Sequence, residues 1–436
     1  MAEGERRGSP APRETAERAL VVIGAGAAGL LAATFAARDG ADVLLLESSE
    51  KPGAKIRVSG GGRCNLLPSA ASVEDFWTYG SYPALRNVVF AWPLAEVRAH
   101  FEQRLGIALV DEPTGKVFPK SGNAREVSEA LLADCARAGV ELRAGTRVAG
   151  VRMTGKGPAR RFDLETAAGE HVLARRVILA TGGLSLPKTG SDGAGYRFAR
   201  ALGHTVRHAH PALVPLLSKD PTWGELAGVS VPVVARAVRD GRVLEQREGD
   251  LLFTHRGFSG PVVLDLSRHF AGPGGDGVEL RIEWGAASGP EWDRELLTDG
   301  ARLVATTLRE RLPRRLADRL LARASVSEDT RASSLRREVR RRLVETLSDG
   351  PLDVAGTEGF RTAEVTGGGI PLEEIRPRTL ESRPCPGLHL AGEMLDATGR
   401  LGGYNFLWAW VSGRLAGLGA AAALASVSEP GESSSA

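Results

Sequence analysis

The chain has 436 residues with 42% hydrophobic and 25% charged side chains, an ordinary globular composition at a length that suggests two or three domains. A formal net charge of only +3 gives no electrostatic reason to expect nucleic acid or an anionic membrane as the main partner. Three cysteines, Cys64, Cys135 and Cys385, argue against a disulfide framework and for a reducing, cytoplasmic setting, and none sits at metal-ligand spacing.

Residues 1–18 are polar and broken by Pro10 and Pro12, so a disordered tail is expected rather than a signal peptide. Ala19–Ile23 then reads as an apolar strand, Gly24–Gly29 as a glycine turn, Leu30–Arg38 as a helix and Val43–Leu46 as a second strand ending at Glu47. This βαβ opening predicts a parallel sheet covered by helices. Residues 48–125 read as loops and short helices, Ala124–Ala138 as a helix stopped by Gly139, and Thr146–Met153, Phe162–Thr166 and Arg176–Ala180 as strands.

Beyond Gly203 the texture becomes β-like, at Val231–Val238, Leu251–Thr254, Val262–Leu266 and Val278–Trp284. Residues 291–349 are helical and Arg-rich. A glycine-rich texture returns at Thr366 and leads to a last helix near Phe406–Ala422, with the Ala416–Ala425 stretch too short to span a bilayer and read as buried. The expected organisation is a nucleotide-binding domain in two pieces, 19–205 and 359–424. A β-barrel-like insertion, 206–290, and a helical segment, 291–358, lie between them, and a second disordered tail covers 425–436.

In VVIGAGAAGLLAA, Gly24 permits the turn out of the strand, Gly26 lets backbone approach a pyrophosphate, and Gly29 lets the helix pack on the sheet. The helix start at Ala27 and Ala28 offers free N–H groups to phosphates. Glu47 is placed to accept hydrogen bonds from ribose hydroxyls and to repel a 2′-phosphate, which leaves FAD or NAD and excludes NADP from this site. In AKIRVSGGGRCN, three glycines line a concave surface and Arg63 suits an anion; Cys64 reads as a small buried side chain rather than a redox thiol. VILATGG ends a strand in a small-residue turn. Gly402-Gly403 precede a helix whose N-terminus suits developing negative charge.

These segments, with GKVFP at Gly115–Pro119, LLFTHRGFSGP at Leu251–Pro261 and AGEMLD…GGYN, together resemble the BaiN/YhiN-type NAD(P)/FAD-dependent oxidoreductases, also called the aminoacetone oxidase family of FAD-binding enzymes. The likeness runs from residue 19 to 420 and departs from the common pattern at Leu67-Pro68 and at Ala194. It implies an α/β fold: a glutathione-reductase-like FAD-binding Rossmann domain with an inserted β-barrel and helical domain. It also implies FAD contacts at Gly24, Gly26, Ala27, Ala28, Gly29, Glu47 and Lys55. Further contacts are implied at the Gly60–Asn65 loop (Gly61, Gly62, Arg63, Cys64, Asn65), Thr181, Gly182, Gly183, Gly392, Glu393, Gly402, Gly403, Tyr404 and Asn405. Val148 is the best match to a backbone contact with adenine.

The expected reaction is hydride transfer from NADH or NADPH through FAD to a small, electron-poor, enone-like substrate. Tyr404 and His255 are the candidate proton donors, since each stands in a family-like motif. The Arg-rich helices between Arg311 and Arg342 carry interspersed acids and read as a solvated face. An RNA-binding or RNA-modifying flavoprotein, or an O₂-using amine oxidase, is the alternative; neither membrane nor nucleic acid is expected as a partner.

Overall fold

β1 (Arg18–Ile23) is buried from Leu20 onward, and its unbroken apolar run suits a strand covered on both faces. The structure, a computed structural model, describes residues 17–428 apart from 286 and 299. The tail expected over 1–18 therefore falls outside the described residues up to residue 16, while Glu17 pairs with Arg161 and Arg18 already belongs to the sheet. β1 runs parallel to β2 (Val43–Leu46) on one side and to His171–Leu179 on the other; Glu141–Arg143 and Leu388–Leu390 extend the parallel core. α1 (Ala27–Arg38) crosses between β1 and β2 and starts at Ala27 rather than Leu30, because extended Gly26 caps it and alanines favour helix at once. The strand placed at Arg176–Ala180 begins earlier, at His171: its first half pairs antiparallel with Arg161–Thr166, which pairs with Val148–Thr154.

The last helix spans Tyr404–Ser428, longer at both ends than predicted, so residues 425–428 are helix rather than tail. It is long and apolar enough to cross a membrane, yet 67% of its 18-residue apolar window is buried inside the protein. It lies along α1 so closely that a Cβ on Gly413 would come within 2.3 Å of the Ala28 carbonyl oxygen.

The insertion is attached by one antiparallel ribbon, Arg207–Ala212 against Val365–Gly369. Among its described residues seven strands form one sheet, in the order Gly350–Leu352, Glu279–Trp284, Ser230–Arg239, Arg242–Phe253, Gly257–Ser259, Leu216–Ser218 and Val354–Thr357. Its two edge strands are consecutive in the chain and meet at Asp353, so the sheet curls back on itself. The strand expected at Leu251–Thr254 is the end of a much longer one, whose polar half is solvent-facing. Val262–Leu266, expected as a strand, is a helix begun by Pro261; a short apolar run does not separate the two states, and proline at the first helical position does. Apolar side chains gather in one core around the main sheet and another inside the insertion, the latter stacked on Trp223, Phe253 and Trp284.

Two buried histidines tie stability to pH. His100 is packed among Phe35, Trp92 and Phe101, and His389 lies fully buried on the sheet; burial pushes both down to about 4. The folded state disfavours their charged form, so this stabilisation is whole above the unfolded value of 6.5 and is lost as pH falls toward 4. Stability should fall across that window by roughly 1–3 kcal/mol per histidine, read as a falling Tm. His100→Gln should flatten the slope; an unchanged slope would mean that His100 takes up its proton without cost.

Candidate functional site

Turns at the C-terminal ends of β1, β2 and His171–Leu179 open onto one cavity of about 670 Å³. Such an opening is where open α/β sheets bind ligands. Gly24 turns at φ +102°, and a Cβ there would meet the Ala180 carbonyl oxygen at 2.5 Å. Gly26 differs: its Cβ position has nothing within 4 Å and faces the cavity. Ala27 and Ala28 line the wall beside it, at the positive end of α1. Glu47 is buried, its Oε2 accepting from the Ala25 N–H at 2.6 Å and its Oε1 from the Ser49 N–H at 2.8 Å. Thr146, Arg147 and Val148 complete this part, with Arg147 ion-paired to Asp192.

α2 (Ala54–Gly62) forms the other part of the wall. It breaks at Ser59, and Gly60 and Gly61 follow in the left-handed region, which curves backbone around the cavity. Lys55, on the first turn, donates to Ser185 Oγ at 2.8 Å and to Glu393 Oε2 at 2.6 Å. Glu393 also accepts from the Ser185 hydroxyl at 2.5 Å and the Thr366 N–H at 3.0 Å, so one carboxylate joins α2, the strand turn and the C-terminal segment. Asn65 Oδ1 is shut off from solvent without a hydrogen-bond partner among the described residues, and its residue lines the cavity. A ligand N–H or O–H would satisfy it. Gly402, Gly403 and Asn405 close this side, the Asn405 amide bridging the Gly399 N–H and carbonyl at 2.8 Å each.

Most of the predicted positions thus share one cavity, with Thr181, Gly182, Gly392 and Glu393 among them. Gly29, Gly62, Cys64 and Gly183 do not line it. Gly29 packs α1 onto the Gly24 turn, and Gly183 packs against Thr366. Cys64 is buried, with its thiol pushed up to about 12 by burial, which fits a core residue and not a reactive one. Arg63 reaches the cavity but pairs with Glu112 and stacks on Phe118 at 4.0 Å, so the anion it meets is its own chain's carboxylate.

Neither candidate proton donor lines the cavity. Tyr404 packs edge-on against Phe76 at 5.8 Å, and burial beside Asp75 raises its phenol. His255 is exposed on the tight turn closed by the Thr254 N–H to the Gly257 carbonyl at 2.8 Å. Lys116, Arg400, Leu213 and Glu364 line the cavity instead. Lys116 stands in the flagged GKVFP segment. Leu213 and Glu364 sit at the insertion end of the ribbon, joined by the Glu364 N–H to the Leu213 carbonyl at 3.2 Å, and no local motif marks them.

A family model described as HI0933-like protein Rossmann domain matches residues 18–419. The chain belongs to this family. Within it, the chain is 35% identical over 412 residues to a 3-dehydro-bile acid delta(4,6)-reductase of Clostridium scindens, covering 92% of this chain and 98% of that one. It is 36% identical over 406 residues to a ribosomal RNA dihydrouridine synthase of Escherichia coli, covering 90% and 95%. A solved 3-ketosteroid-delta4-(5alpha)-dehydrogenase from Rhodococcus jostii RHA1 shares the fold of this HI0933-like chain. Its TM-score is 0.50 at 16% identity, over 93% of this chain and 97% of that one. The fold is thus the FAD-binding Rossmann type, and the family is one of flavoprotein oxidoreductases.

Proposed function

We propose that this HI0933-like protein is a FAD-dependent reductase that uses NADH or NADPH to saturate a carbon–carbon double bond conjugated with a carbonyl. The observation that carries the reading is the continuous cavity from Glu47, past the Gly24–Ala28 turn, to Asn65 and Gly402. In this reading Glu47 holds the adenosine ribose, the Val148 backbone meets adenine, and the start of α1 faces the diphosphate. The Gly60–Asn65 loop and Gly402–Asn405 flank the ring, and Asn65 gives its unpartnered oxygen to it. Bound FAD supplies the hydride chemistry. The chain's own residues bind, orient and shut out water.

The names of the two relatives support one reaction class. A Δ4,6-unsaturated 3-oxo steroid and the uracil ring both present C=C conjugated with C=O, so one hydride-and-proton addition serves either. The Escherichia coli likeness favours uracil within RNA as the second reading. Within the Arg-rich helices Arg309, Arg311, Arg319, Arg323 and Arg340 each reach a carboxylate of the chain itself, which leaves less charge for such a partner.

The test begins with an absorbance spectrum of the purified protein. Flavin bands near roughly 370 and 450 nm should bleach when NADH or NADPH is added without oxygen. They should return on adding a steroid 4-en-3-one, or a uridine-containing ribosomal RNA fragment if the second reading holds. No flavin bands, even after FAD is supplied, would overturn the proposal. Turnover of an amine with peroxide release would assign an oxidase instead.

A further inference from the structure

Reducing a conjugated double bond needs a proton as well as a hydride, and the two donors expected from the sequence do not reach the cavity. Among the described residues five carboxylates line it: Glu47, Glu112, Asp192, Glu364 and Glu393. Four are already engaged. Glu47 holds two backbone N–H groups, Glu112 holds Arg63, Asp192 holds Arg147, and Glu393 holds Lys55 and Ser185. The oxygens of these four are thus already committed to groups of the chain itself.

Glu364 differs. Its backbone N–H is fixed to the Leu213 carbonyl at 3.2 Å, while its side chain has no hydrogen-bond or ion-pair partner among the described residues. It opens into the cavity with Lys116, whose side chain lies 3.6 Å from a Cβ built on Gly402, on the Asn65–Gly402 side rather than the Glu47 side. Its side chain is exposed to the open cavity, yet the protein crowded around it takes water from the charged form and raises this carboxyl above the ordinary glutamate value; Lys116 opposes that and Asp265 adds to it. Asp265 itself accepts from the Leu401 N–H at 2.8 Å and lies beside Arg400. A carboxyl so placed is held toward its neutral, proton-bearing form.

We propose that Glu364 is the proton donor of the reaction, its carboxyl giving H⁺ to the α-carbon of the acceptor as hydride arrives at the β-carbon. The C=C π bond is consumed, two C–H bonds form, and Glu364 is left as a carboxylate that water reprotonates. Lys116 stands on the same side to steady the negative charge that develops on the acceptor carbonyl oxygen. The inference rests on the reductase reading.

Glu364→Gln separates the two. The FAD-loaded variant should bleach with NADH or NADPH as the wild type does, and ferricyanide, which needs no proton delivered to carbon, should reoxidise it equally fast. Reoxidation by whichever probe the wild type reduces, steroid enone or uridine RNA, should slow on the order of 100-fold or more. The wild-type rate should fall as pH rises through the Glu364 carboxyl's titration, and the variant should lose that limb. Infrared difference titration should show a protonated carboxyl in the wild type, titrating above the ordinary glutamate range, that is missing from Glu364→Gln. Unslowed reoxidation by the enone or RNA, loss of the ferricyanide reaction as well, or an unchanged carboxyl band would each overturn the assignment. A wild type that bleaches but reduces neither probe would instead sink the reductase reading, whatever the infrared titration shows.

Discussion

Gly29→Ala should destabilise the nucleotide-binding half of the protein, while Gly26→Ala should leave the fold intact and lose the cofactor. A Cβ at Gly29 would sit 1.8 Å from the Gly24 carbonyl oxygen, a backbone atom that no rotamer change can move. α1 has nowhere to retreat, because on its other side the Ala28 and Ala32 carbonyls already lie 2.3 Å from Cβ positions at Gly413 and Gly417. The helix is clamped between the turn and the C-terminal helix, and adding one methyl should cost about 3 kcal/mol, seen as a fall in Tm of several degrees. Gly26 has φ −82° and ψ −168°, which alanine adopts without strain, and nothing lies within 4 Å of its Cβ position. That methyl would project into the cavity where the reading puts the diphosphate. Gly26→Ala should therefore keep its Tm without FAD and fail to retain FAD through gel filtration. If it retains FAD like the wild type, no ligand approaches the backbone there.

These two glycines also show what a sequence can disclose. The roles of Gly24, Gly26 and Gly29 follow from local backbone geometry, so strand, turn and helix were legible from a dozen residues. The long polar strand Arg242–Phe253 was not. Its outer half is exposed, and its pairing with Ser230–Arg239 depends on the tight turn at Asp240-Gly241, both at positive φ. Val262–Leu266 shows the opposite failure, an apolar run whose length alone does not choose between strand and helix.

The site divided along the same line. Glycine loops carry their shape in their own residues, and nearly all of them reached the cavity. Tyr404 and His255 were singled out by membership in a motif, which says where a residue lies in the chain and nothing about where its side chain points. Tyr404 turns to Phe76 and His255 to solvent. Glu364 was invisible because it reaches the cavity only when the ribbon pairs Arg207–Ala212 with Val365–Gly369 across a large insertion, a contact that no local pattern encodes.

Glu47→Ala should weaken binding at the adenosine end on the order of 100-fold and cost roughly 2 kcal/mol of stability, because the carboxylate has two duties. One is internal: it accepts from the Ala25 and Ser49 N–H groups and so holds the glycine turn to the end of β2. Removing it takes the acceptor from both N–H donors, of which that of Ala25 is fully buried. In the proposed reading the other duty is toward the ligand, with its remaining lone pairs accepting from ribose and its charge opposing a 2′-phosphate. ADP and 2′,5′-ADP separate these duties without any flavin chemistry. The wild type should bind ADP and discriminate against the 2′-phosphorylated analogue. Glu47→Gln keeps one carbonyl acceptor for the turn but drops the charge, so it should hold its Tm better than Glu47→Ala while losing the discrimination. If both variants bind ADP as tightly as the wild type, Glu47 is a clasp for the turn alone, and the ribose must be held by other groups of the same wall.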